Sequence, residues 1–143
     1  MIDFWGQENL AKKINRELEK NELPQTQLIT DEYGGGGLLL AVAIAKELLG
    51  RDPFKHPDFF ICFPVIKIDK KTEVSLDLIE AFKSFYEKNN YCSLTEWLLS
   101  LGSSNKQGSI GVEEVNQLHQ KISLKAYEGK SKVCIIWAPE LLN

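Results

Sequence analysis

Between residues 7 and 21, apolar positions recur at Leu10, Ile14 and Leu18, with Lys12, Lys13, Glu17 and Glu19 on the other faces. That spacing predicts an amphipathic helix, ended by Asn21 and Pro24. A short apolar run at 27–30 predicts a first strand. Residues 38–49 are apolar nearly all round as far as Lys46, which predicts a mostly buried helix closed by Gly50 and broken by Asp52-Pro53. Residues 58–65 and 132–137 are continuous apolar runs, as expected of parallel strands covered on both faces, and Pro64 places the end of the former near a sheet edge. The polar stretch 67–73 reads as a solvated connector, with a contact from its lysines to DNA phosphates as the weaker alternative. Ser75 is placed to cap a helix carrying Leu76, Ile79, Phe82 and Tyr86 on one face. Ser93-Leu94-Thr95-Glu96 has the form of a capping box, opening a short helix with Trp97, Leu98 and Leu101 inward and Gly102 as its stop. After a loop at 102–108, residues 112–128 predict a helix with Val115, Leu118, Ile122 and Ala126 as its stripe and Gly129 beyond its end. Strands alternating with helices predict an α/β fold with a parallel sheet and right-handed crossovers.

Composition narrows this only a little. A chain of 143 residues makes one domain at most, with room for a proper core. Its apolar and charged fractions, 43% and 26%, are those of an ordinary globular protein. The formal charge of −3, with Arg16 and Arg51 as the only arginines, gives no general reason to expect nucleic-acid binding. Cys62, Cys92 and Cys134 are widely spaced and form no metal-binding pattern; Cys62 and Cys134 fall in apolar strands and read as reduced core residues of a cytoplasmic protein. His56 and His119 have no partner at ligand spacing and read as surface or satisfied histidines. The N-terminus is not patterned as a signal peptide, and no apolar run is long enough for a membrane span.

The informative stretch is Thr30-Asp31-Glu32-Tyr33-Gly34-Gly35-Gly36-Gly37-Leu38. Strand, glycine loop and helix form the context of a P-loop, whose backbone N–H groups converge on a phosphate at a helix N-terminus. In the register of G-x-x-x-x-G-K-[ST], Asp31 stands at the first glycine. Gly37 replaces the lysine that would reach the phosphates, and Leu38 replaces the hydroxyl that would hold Mg²⁺. The strand at 132–137 is equally blank. Trp137 stands where an aspartate would organise Mg²⁺ and Ala138 where a glutamate would activate water. Glu140, two residues further on a Pro-turned segment, is not assigned that role. ATP and Mg²⁺ are therefore not expected. Gly34, Gly35, Gly36 and Gly37 keep backbone donors, so weak binding of a phosphate or sulfate ion is the most the loop offers, and Asp31 opposes it.

Several segments, in order, resemble a family. Phe4-Trp5-Gly6-Gln7-Glu8 is similar to the entry into the first helix of clamp-loader AAA+ subunits. The run Ser109-Ile110-Gly111-Val112-Glu113-Glu114-Val115 resembles their lead into the helix before the Walker B strand, and residues 123–133 resemble their approach to that strand. The resemblance covers nearly the whole chain and is strongest to the delta-prime subunits of bacterial DNA polymerase III, where Phe63-Pro64-Val65-Ile66-Lys67 and Asn105-Lys106-Gln107-Gly108-Ser109-Ile110 also have counterparts. It implies a three-layer P-loop NTPase fold of the AAA+ or RecA-like type. It also implies a subunit that does not hydrolyse ATP and serves as a rigid, stator-like member of the loader ring. Its partners would be the motor ATPase subunits and delta, with the sliding clamp and primed DNA reached indirectly.

Some family features are missing. The zinc-binding cysteines have no counterpart between residues 51 and 57, and Asn116 stands where the family has an arginine. The family's arginine finger belongs to a motif beyond the Walker B strand, and the sequence given stops before it, at Asn143. The expectation is thus of an incomplete AAA+ domain spanning residues 1–143, with later strands, lid and collar absent. In the implied sheet the second and third strands are neighbours. A fourth, after Asn143, would lie between the first and the third, and its absence predicts that the isolated fragment self-associates. Two other readings stand beside the stator: a working ATPase motor subunit, opposed by Gly37, Leu38 and Trp137, and an interaction module on a dead nucleotide-kinase-like scaffold, opposed by the ordered motifs.

Overall fold

The structure is a computed structural model that describes residues 1–4, 6–32, 34–67, 74–103 and 105–143. The two strongest apolar runs meet as parallel strands, β1 (Phe59–Cys62) and β2 (Val133–Ile136), with Phe59 opposite Val133 and Cys62 opposite Ile136. Parallel partners need a long crossover. Here it carries three helices, α3 (Ile79–Lys88), α4 (Leu94–Ser100) and α5 (Val112–Ser123). Two helices precede the sheet, α1 (Glu8–Glu19) and α2 (Gly37–Leu49). The α/β class and the adjacency of the second and third predicted strands agree with expectation.

The first predicted strand does not form. Residues 27–30 are in no strand and Leu28 is 81% exposed. Strand β1 is paired only with β2, and no strand among the described residues lies beside 27–30 to take up its backbone groups. Ile29 packs partly against the cluster of Ile2, Phe4 and Ile14, but a segment without ladder bonds gains nothing from being a strand. β2 is also less covered than its apolar run suggests: Ile135 is buried, but Ile136 is 40% exposed. The glycine loop is therefore followed by its helix but not preceded by a paired strand.

Packing is centred on α2, whose residues serve two apolar clusters. Leu40 and Ile44 meet Ile2, Phe4, Ala11 and Ile14. Leu38, Val42 and Ala45 face β1 and the aromatic residues beyond it. There the Phe63 and Phe82 rings stack 4.1 Å apart, and Trp97 stands edge-on to both. Trp97 is 1% exposed, and its indole N–H donates to the Pro64 carbonyl at 2.8 Å, so its one polar group is satisfied. The capping box at Ser93 forms as its sequence predicts: the Glu96 N–H donates to Ser93 Oγ at 3.3 Å and the Ser93 N–H donates to Glu96 Oε2 at 2.7 Å.

Three helix faces differ from the periodicity. In α1 the buried residues are Ala11 and Ile14, while Leu10 is 39% exposed. The N-terminal segment sets that rotation, because the Asn15 side chain donates to the Ile2 carbonyl at 2.7 Å and accepts the Ile2 N–H at 2.8 Å. Ser75 is not a cap with a bonded side chain. It opens a short 3-10 turn, and its hydroxyl donates to Glu114. In α5 the expected stripe holds at Leu118, which is buried, but not at Val115 and Ile122, which are 39% and 51% exposed, and Glu114 is buried as well. The Ser75 N–H also donates to Glu114, at 2.6 Å, and this satisfied carboxylate turns its own face of the helix inward.

Helix α5 also stops at Ser123, short of the expected residue 128, so Gly129 is not its C′ residue. The cause is Asp58, which is 1% exposed. Its carboxylate accepts N–H groups from Tyr127 at 2.6 Å, Glu128 at 2.8 Å and Gly129 at 3.1 Å, bonds that compete with continuing the helix. The predicted connector at 67–73 lies, except for Lys67, outside the described residues.

Candidate nucleotide-loop site

The loop before α2 is shaped by its glycines where the backbone turns left-handed. Gly34 has φ +72° and Gly36, the residue before the helix, φ +91°. The Gly35 N–H donates to the Glu32 carbonyl at 2.8 Å, closing the turn. Asp31 folds back across it, and its Oδ2 accepts the Gly37 N–H at 2.6 Å. A carboxylate thus sits on a donor at the N-terminus of α2, where the helix dipole favours negative charge. A Cβ on Gly37 would stand 2.9 Å from the Asp31 carboxyl carbon, so a larger side chain there displaces Asp31.

Leu38, expected from the sequence register at the place of the metal-holding hydroxyl, is 6% exposed and packs into the cluster formed with Phe63, Phe82 and Trp97. Trp137, expected from the sequence register at the place of the Walker B aspartate, packs against the same cluster, its ring 5.6 Å from that of Phe82. The Trp137 N–H donates to the Cys62 carbonyl at 2.9 Å, extending the register of β1 and β2 by one bond. Ala138 is buried with φ +58° and starts a 3-10 turn at Pro139–Leu141 that holds Glu140. The structure therefore joins Leu38 and Trp137 through the core, while Asp31 and Gly34 to Gly37 remain with the loop.

Features near the site that sequence reasoning missed are tertiary. Phe4 and Tyr91 both reach Gly36, where a Cβ would stand 2.8 Å from Phe4 Cζ and 2.9 Å from Tyr91 Cε1. No local pattern links residues so far apart.

A second polar group lies where β1 begins. His56 is 8% exposed, as a satisfied histidine should be: its Nδ1 accepts the Asp58 N–H at 3.1 Å, and its Nε2 lies 4.0 Å from Glu128, which also pairs with Arg51. The Tyr127 N–H, joined by those of Glu128 and Gly129 and by the nearby His56, holds the Asp58 carboxyl below its usual pKa; burial opposes this. Further in, a cavity of about 90 Å³ is lined by Cys62, Ser75, Glu114 and Lys121 among others. Its Cys62 thiol is pushed up by contact with Cys134 and by burial, while burial pushes Cys92 up to about 11. All three cysteines are free, with Cys134 only partly buried. Among the described residues no group of His, Cys, Asp and Glu has the arrangement of a metal site, and no helix is long and apolar enough to cross a membrane.

The family model described as DNA polymerase III, delta subunit, matches residues 6–143, that is, all but the first five residues. No curated protein and no solved structure was found to match. The match over almost the entire length places the chain in the DNA polymerase III delta-subunit family, of the delta-prime type.

Proposed function

We propose that the chain acts as a non-catalytic, stator-like subunit of the cytoplasmic clamp loader, on a P-loop-type AAA+ scaffold that neither binds Mg²⁺·ATP nor hydrolyses it. Membership in the family carries the general role in clamp loading during replication. The observation that supports the non-catalytic reading is the placement of Leu38 and Trp137, the residues at the two metal-holding positions, in one apolar cluster. The available side chains do not fit a Mg²⁺–nucleotide complex: no hydroxyl or carboxylate stands at these positions, and Gly37 supplies no ammonium. Phosphoryl transfer depends almost wholly on such groups to position the nucleotide and stabilise charge. The partners of this reading are the motor ATPase subunits and delta, with clamp and primed DNA engaged through the assembly.

The test is reconstitution. The protein is assembled with motor subunits and delta, and ATP turnover is compared with that of loaders whose motor subunits are disabled one at a time and then all together. Turnover is expected to vanish when all the motors are disabled. Turnover that persists and disappears only on altering residues 31–38 of this chain makes it a motor.

A further inference from the structure

Two segments distant in sequence converge on the glycine loop, and the loop's own first residue folds back on it. Asp31 supplies the carboxylate on the Gly37 N–H at 2.6 Å. The N-terminal segment supplies Phe4, 5% exposed, and the connector between α3 and α4 supplies Tyr91. Both rings press on Gly36, with their centroids 6.4 Å apart. The Tyr91 carbonyl also approaches Gly34, 3.5 Å from where a Cβ would be.

We propose that Asp31, Phe4 and Tyr91 form a built-in plug that keeps the glycine loop closed, so that its conformation does not depend on nucleotide or on any phosphate. This deepens, and rests on, the non-catalytic reading of the same loop. A nucleotide-binding loop takes its ordered shape when an anion meets the donors at the helix N-terminus. Here the anion is covalently part of the chain. A tethered group competes at a high effective concentration, whereas phosphate must be drawn from solution. It must also approach the negative charges of Asp31 and Glu32. The rings complete the closure by filling the space beside Gly36 that any larger residue would need. For a rigid ring member such a plug has a clear consequence: the loop and the start of α2 stay fixed whatever nucleotides the neighbouring subunits hold.

The test uses amide hydrogen exchange and amide chemical shifts of residues 34–38 in the whole chain, with titration of inorganic phosphate at constant ionic strength. In the wild type the Gly37 amide is expected to be protected, and no loop amide moves with phosphate. In Asp31→Ala the Gly37 amide exchanges roughly tenfold faster, as loss of a charge-assisted hydrogen bond implies, and the loop amides shift saturably with phosphate. Asp31→Asn removes the charge but keeps an acceptor for Gly37, so it serves if Asp31→Ala does not fold, and it too gains sensitivity to phosphate. Saturable shifts in the wild type overturn the plug, as does an aspartate variant whose loop ignores phosphate. ATP turnover by the assembled loader is measured separately from these amide readouts, so the plug and the non-catalytic reading fail separately.

Discussion

At the scale of single residues, the polar groups that hold this molecule together are few and specific. Asp58 joins the start of β1 to the turn before β2 through three backbone N–H groups, while almost completely excluded from solvent. Because its folded pKa lies below the ordinary value, its contribution to stability is fully present above the unfolded pKa of about 3.9 and is lost as pH falls through the folded value. Asp58→Asn should therefore melt at a lower temperature than the wild type at neutral pH, with the gap narrowing in acid. Thermal denaturation followed by circular dichroism across that range checks this, and a gap that widens as pH falls contradicts it. Residues 37 and 38 lead to a different prediction. The double substitution Gly37→Lys with Leu38→Thr is expected not to restore hydrolysis. The introduced lysine collides with the Asp31 carboxyl, the introduced threonine puts a hydroxyl into the apolar cluster, and Trp137 and Ala138 still offer metal and water nothing. A steady-state phosphate-release assay on the double variant tests it, and measurable Mg²⁺-dependent turnover refutes the argument.

At the scale of elements, local signals succeeded where the physics was local. The reciprocal bonds between Ser93 and Glu96 involve one turn of chain, and they start α4 where the sequence places its start. Ser93→Ala should cost about 1 kcal/mol, as for other N-cap replacements, read as a lower urea midpoint with an unchanged slope. No shift in the midpoint would mean that burial of Trp97 alone sets the position of α4. Helix α5 is the contrary case. Its apolar periodicity indicates one face, but the structure buries Glu114 beside Leu118 and leaves Val115 and Ile122 partly open. The two hydrogen bonds from Ser75 to Glu114 come from a residue 39 positions earlier, and periodicity within α5 contains no trace of them.

At the scale of the whole molecule, a two-stranded sheet carries the described residues, and β2 has one neighbour, β1. The other edge of β2 is open to strand addition, and Leu28, Val112, Ile122, Leu124 and Ile136 are apolar residues left exposed to apolar contact. The 143-residue chain by itself is expected to self-associate at tens of micromolar. Sedimentation velocity would show this as a concentration-dependent shift, and a compact monomer throughout rejects it.

The sequence by itself determined the α/β class, the apolar runs that become β1 and β2, the buried helix α2 and the box that starts α4. Each of these follows from hydrophobic runs or from hydrogen bonds within a turn, and both are local in the chain. It also raised the expectation of a blank nucleotide loop at 31–38, since Gly37, Leu38, Trp137 and Ala138 carry none of the charged or ligating groups that a P-loop site uses. Tertiary structure decided the rest. It left residues 27–30 outside any strand, since a strand exists only with a neighbour, and it ended α5 at Ser123 because Asp58 captures the backbone beyond it. It brought Phe4 and Tyr91 onto Gly36, and it buried Leu38 in the core cluster against which the partly buried Trp137 packs. Such contacts depend on how separate elements pack, and hydrophobic packing is non-directional until shape and satisfied polar groups choose among its arrangements.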